Sequence, residues 1–428
     1  MLSPRSMRST IQLVSLILLF SSLFLAACGG PSGSQGSTQP ITLKLLSSVA
    51  GDQEAPIKDA IKRFQQANPN VTIKDIVGGD AYQTILNAGL AAKNAPDILL
   101  LNGGENALAK NKMIDDGDLV DLTSQPWANR LTDSVKQAVT YRDGKLYRMP
   151  WNENVIGVLY NKKIFSDNGL TIPQTWAEFL QLCQKLKAKG ITPLGYGGKD
   201  VWPNFPLPYA MVASAVTASD PNFDKHLYAG SASFSKSPWL QTLKDIMSMK
   251  QQGFFNAAPV GTDWPASAQL LASGKVAMLV QGDWAVPYVK EQGSAIDLGM
   301  FPLPYVTAGQ QIHITANVNR TFAVYAKSKH TDVALKFLQF FSQNENIGPA
   351  LKTNGGLPTF KDTQVSLDPA VTDMLKVLPE AVPFAEAHWP AGVSAAMMQD
   401  VQGMFAGTST PETVVADMDK QFTANKDK

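Results

Sequence analysis

Charge is scarce in this chain: 17% of residues are Asp, Glu, Lys or Arg, against about 25% in ordinary soluble domains. Neither sign dominates, with 37 basic and 36 acidic residues and a net charge of +1. A nucleic-acid binder usually carries a strong basic surplus, so the near-balance argues against that class. Cysteine is nearly missing, at 2 residues, which rules out a disulfide-dense scaffold. Only one long apolar run occurs, at the very start, and this excludes a polytopic membrane protein. Catalytic signatures are absent as well. There is no G-x-S-x-G elbow, and none of His226, His313, His330 or His388 belongs to an H-E-x-x-H zinc motif. Gly195-Tyr-Gly-Gly-Lys199 leads to Asp200, with Pro193 where a P-loop needs its first glycine. Asp115, Asp116, Asp118 and Asp121 lack the EF-hand order and read as a solvated acidic turn. No metal or cofactor is expected, and no catalytic residue is assigned.

What is present begins with an export segment. Arg5 and Arg8 precede a mostly apolar stretch from Ile11 to Leu25, too short for a comfortable membrane span. Leu25-Ala-Ala-Cys28 follows. Small residues let a peptidase approach the backbone, and the Cys28 thiol is a nucleophile that can accept a lipid, so the segment resembles a bacterial lipobox. Residues 1–27 read as a lipoprotein signal peptide. Residues 28–40 are small or polar, cannot bury a core and read as a flexible tether. A soluble body is then held at the outer face of the bacterial cytoplasmic membrane, cell surface or periplasm, by a two-chain lipid anchor. Cys183 is left without a partner and, at core spacing on a helix, is a small hydrophobe.

At 428 residues, 44% of them hydrophobic, the chain is long enough for two domains. Ile41 to Val49 and Val71 to Val77 alternate as strands. Between them Ile57, Ala60, Ile61 and Phe64 form one apolar helix face that ends before Pro69. Ala81 to Lys93 reads as a helix and Asp97 to Leu101 as a strand covered on both faces. Thr175 and Glu178 form a capping box, and Gly190 closes that helix. Trp239–Gln252, Asp332–Ser342 and Pro411–Phe422 read as further helices. Val276–Val280 and Phe322–Tyr325 read as buried strands. This alternation predicts an α/β fold with largely parallel sheets.

Several stretches together resemble the extracellular solute-binding proteins of ABC importers, in the carbohydrate-binding group related to maltose-binding protein (family 1). They are the lipobox and tether; Phe64-Gln-Gln-Ala-Asn-Pro-Asn-Val71; Ala95-Pro-Asp-Ile98; Tyr147-Arg-Met-Pro-Trp151 with Val158-Leu-Tyr-Asn-Lys162; and Pro173-Gln-Thr-Trp-Ala-Glu-Phe179. Leu271-Ala-Ser-Gly-Lys-Val-Ala-Met278 running to Gly282-Asp-Trp284, and Gly355-Gly-Leu-Pro-Thr359, complete the set. The resemblance implies a two-lobe periplasmic-binding-protein-like fold, each lobe a mostly parallel sheet flanked by helices, joined by hinge crossovers. It places lobe 1 at 41–152 and 305–352 and lobe 2 at 155–301 and 356–428. It implies a carbohydrate ligand in the cleft, no enzymatic activity and a monomeric body. The implied partners are ABC permease subunits served by a separate ATPase.

A sugar offers C–H faces and a rim of hydroxyls, so its site needs flat rings beside amides and carboxylates. Trp284 and Asp283 follow a buried strand at the end where α/β sheets collect ligands. Trp151 and Asn154 lie at the first crossover, and Trp202 lies on an irregular loop. Asn102 ends a strand. Ser48 and Glu54 follow the opening strand, Asn319 precedes another, and Gly356 permits close backbone approach at the third crossover. Glu386 and Trp389 lie in a Pro-flanked stretch beyond it. Trp176 and Trp239 read as core or flanking rings, and Trp127 and Trp264 as surface packing. The competing reading is a surface lipoprotein enzyme, a glycosidase or lyase whose two carboxyls would stand about 5–9.5 Å apart. A binding protein for a non-sugar solute is the other.

Overall fold

A computed structural model describes residues 39–47, 51–102, 107–293, 295–390 and 392–426. The signal peptide, Cys28 and Ser48 lie outside the described residues. Among the described residues nine strands form one curled sheet: β1 Ile41–Ser47, β2 Val71–Val77, β3 Ile98–Asn102, β4 Met149–Asn161, β5 Thr192–Gly195, β6 Val276–Gly282, β7 Leu298–Phe301, β8 Thr315–Val324 and β9 Val382–Pro383. The order is β2-β1-β3-β8-β4-β6-β5, with β7 on β4 and β9 on β8. Pairing is parallel at the two flanks, β2-β1-β3 and β5-β6. It is antiparallel where β4 and β8 cross the middle.

Buried side chains separate into four groups, two on each side of that middle. The first half holds Leu43, Leu45, Ile57, Phe64, Trp127, Trp151, Phe322 and Phe341 on one face of the sheet and Leu46, Leu86, Leu99 and Leu101 on the other. The second holds Val158, Phe179, Cys183, Tyr209, Trp239 and Trp389 on one face and Val155, Leu159, Leu271, Leu279 and Met300 on the other. This is a two-lobe α/β architecture, and the long strands β4 and β8 belong to both halves.

The helices follow their periodicity. In Ala55–Ala67 the buried face is Ile57, Ala60, Ile61 and Phe64, and Phe64 meets Phe337 edge-on at 5.4 Å. Thr175 accepts from Glu178 N at 3.2 Å, but the Glu178 carboxylate takes Gln174 N, one residue further out than a capping box requires. Cys183 is wholly buried, and burial pushes its thiol far up. Each aspartate of the acidic turn meets a basic side chain: Asp115 with Arg142, Asp116 with Lys112, Asp118 with Lys327, Asp121 with Lys145.

The packing corrects two lobe boundaries. After β7 the chain does not enter lobe 1 at residue 305. Tyr305 packs on Trp176 at 4.9 Å, and Ile314 and Ala316 remain in the second-lobe core. The passage occurs inside β8, between Ala316 and Val318. The prolines after Phe301 mark a turn back onto the same lobe. The third passage is not final either. Leu357 packs in lobe 2, Phe360 returns to lobe 1, and Ala370 lies in lobe 2 again.

Candidate functional site

Three crossing segments lie edge to edge at the middle of the sheet. β4 pairs with β8 through Asn154 and Asn317, and on its other edge Glu153 exchanges both backbone hydrogen bonds with Leu357, at 3.0 and 2.7 Å. Two bulges sit in this ribbon. The register skips Trp151 on β4 and Asn319 on β8, and the second bulge restores the register that the first shifts. A bulge re-aims the side chain it carries. Asn319 Nδ2 reaches Asn154 Oδ1 at 2.7 Å, and Asn154 Nδ2 donates to Asp283 Oδ1 at 2.6 Å. Asn152 Oδ1 accepts Arg320 N at 2.9 Å. The Arg320 guanidinium donates to Asn354 Oδ1 and Gln53 Oε1 and lies over the Trp151 ring at 5.7 Å. The middle of the molecule is therefore a layer of amides tying all three crossings together.

Glycines make the third crossing possible. Gly355 and Gly356 have φ of +69° and +112°, values that suit glycine. A Cβ on Gly355 would stand 2.7 Å from Trp284 Cα, and one on Gly356 would stand 3.0 Å from Asn152 Nδ2. Gly282 has a similar duty at the end of β6. The Trp284 ring folds back so closely that a Cβ there would lie 2.0 Å from it.

From Trp284 a band of half-buried rings runs across lobe 2. Phe205 lies 6.1 Å from Trp284 and 6.4 Å from Trp202, Trp202 lies 5.3 Å from Trp264, and Trp264 lies 5.3 Å from Tyr288. The helix Trp264–Ala272 presents Trp264 at its first turn, where Asp263 caps it. The helix Ala285–Gln292 begins directly after Trp284 and carries Tyr288 one turn on.

The structure joins some of the residues singled out from sequence and separates others. Trp202 and Trp284 belong to the ring band. Asn154, Asn319, Asp283 and Gly356 belong to the amide layer. Trp151 is a correction: it is fully buried against Phe322 and Phe341 in the lobe 1 core and offers no open ring face. Trp389 is also core, with its Nε1 donating to Asp224 at 3.2 Å, while Glu386 accepts from Tyr209. Glu54 is 2% exposed and paired to Lys58 at 2.7 Å, inside lobe 1 rather than on an open wall. Asn102 ends β3 opposite Arg320. Trp127 is buried in the core, not on the surface. Sequence reasoning missed Phe205, Tyr288 and the part played by Trp264. Tyr288 had a signal, one turn into the helix that begins directly after Trp284.

Burial controls the electrostatics here. It holds the carboxyls of Glu153 and Asp283 up at about 7. Asp75 is also raised to about 7, by burial first and then by the neighbouring Glu54. Asp283 Oδ2 is enclosed without a hydrogen-bond partner. On lobe 2 a cavity of about 360 Å³ lies behind Phe384 and Trp389, and an open groove of about 590 Å³ adjoins it along Trp176, Tyr305 and Gln311. Among the described residues no three His, Cys, Asp or Glu side chains gather as a metal site, and no helix is long and apolar enough to cross a membrane. The arrangement suits an uncharged guest with flat apolar faces and many hydroxyls.

Comparison with known proteins agrees with this architecture. The chain is 26% identical over 333 residues to the multiple sugar-binding protein of Streptococcus mutans, covering 76% of this chain and 77% of that one. It is 24% identical over 340 residues to the melibiose/raffinose/stachyose-binding protein MelE of Bacillus subtilis, covering 77% of each. Its fold is similar to that of a Bacillus licheniformis sugar transporter in complex with stachyose, with a TM-score of 0.77 at 20% identity over 90% of this chain and 99% of that one. The apo form of RafE from Streptococcus pneumoniae superposes with a TM-score of 0.75 at 20% identity, over 91% and 99%. Residues 50–347 match the family described as bacterial extracellular solute-binding protein, and the chain belongs to that family.

Proposed function

We propose that this chain is a lipid-anchored extracytoplasmic receptor that binds a carbohydrate between its lobes and delivers it to an ABC permease. The observation that carries this reading is the band Trp284–Phe205–Trp202–Trp264–Tyr288, half-exposed beside a hinge made of amides. Ring faces stack on sugar C–H patches, and amides both donate to and accept from hydroxyls. The names of the Streptococcus mutans and Bacillus subtilis relatives support the ligand class. A ligand touching both lobes makes its full set of contacts only in the closed form, so binding shifts the population towards closure. The permease then reads the closed shape. Cys28, after the small residues Ala26 and Ala27, carries the anchor. The enzymatic alternative finds less support: Glu153 and Asp283 are both near neutrality, but Asp283 already holds Asn154.

A thermal-shift and calorimetric screen of raffinose, stachyose, maltotriose and chitotriose tests the reading. Saturating ligand should raise the melting temperature by mass action. Trp284→Ala and Trp202→Ala should each weaken binding roughly tenfold, about 1.4 kcal/mol. A shift with amines or metal ions alone would overturn the sugar assignment. Cleavage of the saccharide would favour the enzyme.

A further inference from the structure

We infer that Asp283 is a positioning residue that couples the hinge to the Trp284 ring, rather than a direct acceptor of ligand hydroxyls. This rests on the reading of Trp284 as a ligand-facing ring. Asp283 is 1% exposed. Its Oδ1 accepts from Asn154 Nδ2 at 2.6 Å and from Val155 N at 3.4 Å, and its own N donates to Val155 O at 3.0 Å. The residue is thus fastened to β4 on both its backbone and its side chain. Asn154 is in turn held by Asn319, the bulged residue of β8. Trp284 follows immediately, with its backbone against Gly355 of the third crossing and its ring on Gly282. A change of angle between β4 and β8 moves Asn319, hence Asn154, hence Asp283, and so the ring.

Asp283 Oδ2 is buried and unpartnered, so the neutral acid fits this enclosure better than the ion. Among the described residues Glu153 is the ionisable neighbour whose charge acts on Asp283. Ionising Asp283 places a charge in an enclosed pocket beside Glu153 and strengthens its acceptance from Asn154 Nδ2, which tightens the tie to β4.

The exported protein, labelled with 5-fluorotryptophan, gives the test, with the Trp284 resonance assigned by its loss in Trp284→Phe. Without ligand, that resonance should titrate between about pH 5.5 and 8.5, with a midpoint near 7. Asp283→Asn should abolish the titration, Glu153→Gln should retain it at a lower midpoint, and Asn319→Ala should shift the resonance at fixed pH. Circular dichroism establishes that each variant is folded. Asp283→Asn should weaken saccharide binding roughly tenfold and flatten its pH profile. A Trp284 resonance unaffected by Asp283→Asn and Asn319→Ala would overturn the coupling, as would a titration that vanishes only in Glu153→Gln. If no saccharide binds, the ligand assignment fails while the ligand-free titration still decides the coupling.

Discussion

Gly282 shows how one missing side chain sets a larger one. With a Cβ there, the Trp284 ring cannot keep its present seat, since its carbons Cε3, Cζ3 and Cη2 lie 2.0–2.2 Å from that position. Gly282→Ala should therefore displace the ring and weaken saccharide binding roughly tenfold or more, read by calorimetry, while far-ultraviolet dichroism stays native. Trp151 behaves in the opposite way. It fills the lobe 1 core between Phe322 and Phe341. Trp151→Ala should cost about 3–5 kcal/mol in urea unfolding and leave the affinity of the folded fraction nearly unchanged. The two tryptophans have the same chemistry, and their residue type does not tell them apart. The place of Trp284 just beyond the end of β6 was legible, because a buried strand and a Gly-Asp pair precede it. Trp151 was not, because it is a bulge: the alternation that predicts facing breaks at that residue.

At the scale of elements, helices were legible and the second and third crossings were not. The apolar face of Ala55–Ala67 and the cap at Thr175 are local signals, complete within a few residues. β4 and β8 change lobes in mid-strand, and nothing local announces that. A run such as Thr315–Val324 reads the same whether it serves one core or two. The paired bulges make a specific prediction. Deleting Asn319 removes the extra residue on β8 and leaves the Trp151 bulge uncompensated. Every β8 side chain on one side of the deletion then turns to the opposite face. The expected outcome is loss of cooperative unfolding by calorimetry, whereas Asn319→Ala retains it.

For the molecule as a whole, three carboxyls held near 7 predict how stability follows pH. Asp75, Glu153 and Asp283 have folded-state values near 7, above the usual carboxylate range near 4. The folded state then binds more protons than the unfolded one between about pH 4 and 7, so their contribution weakens as pH rises through that window. Melting temperature should fall from pH 5 towards about pH 7.5, and the combined Asp75→Asn, Glu153→Gln and Asp283→Asn variant should show a shallower fall. Hinge closure predicts a smaller radius of gyration by X-ray scattering when a bound saccharide saturates the cleft. A Cys28→Ser variant should be recovered from the culture medium or periplasm instead of the membrane fraction.

β1 builds Leu43 and Leu45 into the core of lobe 1, while the helix Pro411–Asn425 packs on lobe 2. Any restraint on the leading end therefore immobilises one half as a stator and leaves the other as the rotor, with a single narrow ribbon as the axle. Under the proposed delivery to a permease, a docking partner would meet a fixed landmark first and an arriving arm second, and recognition and the sensing of cargo would fall to different halves of one polypeptide.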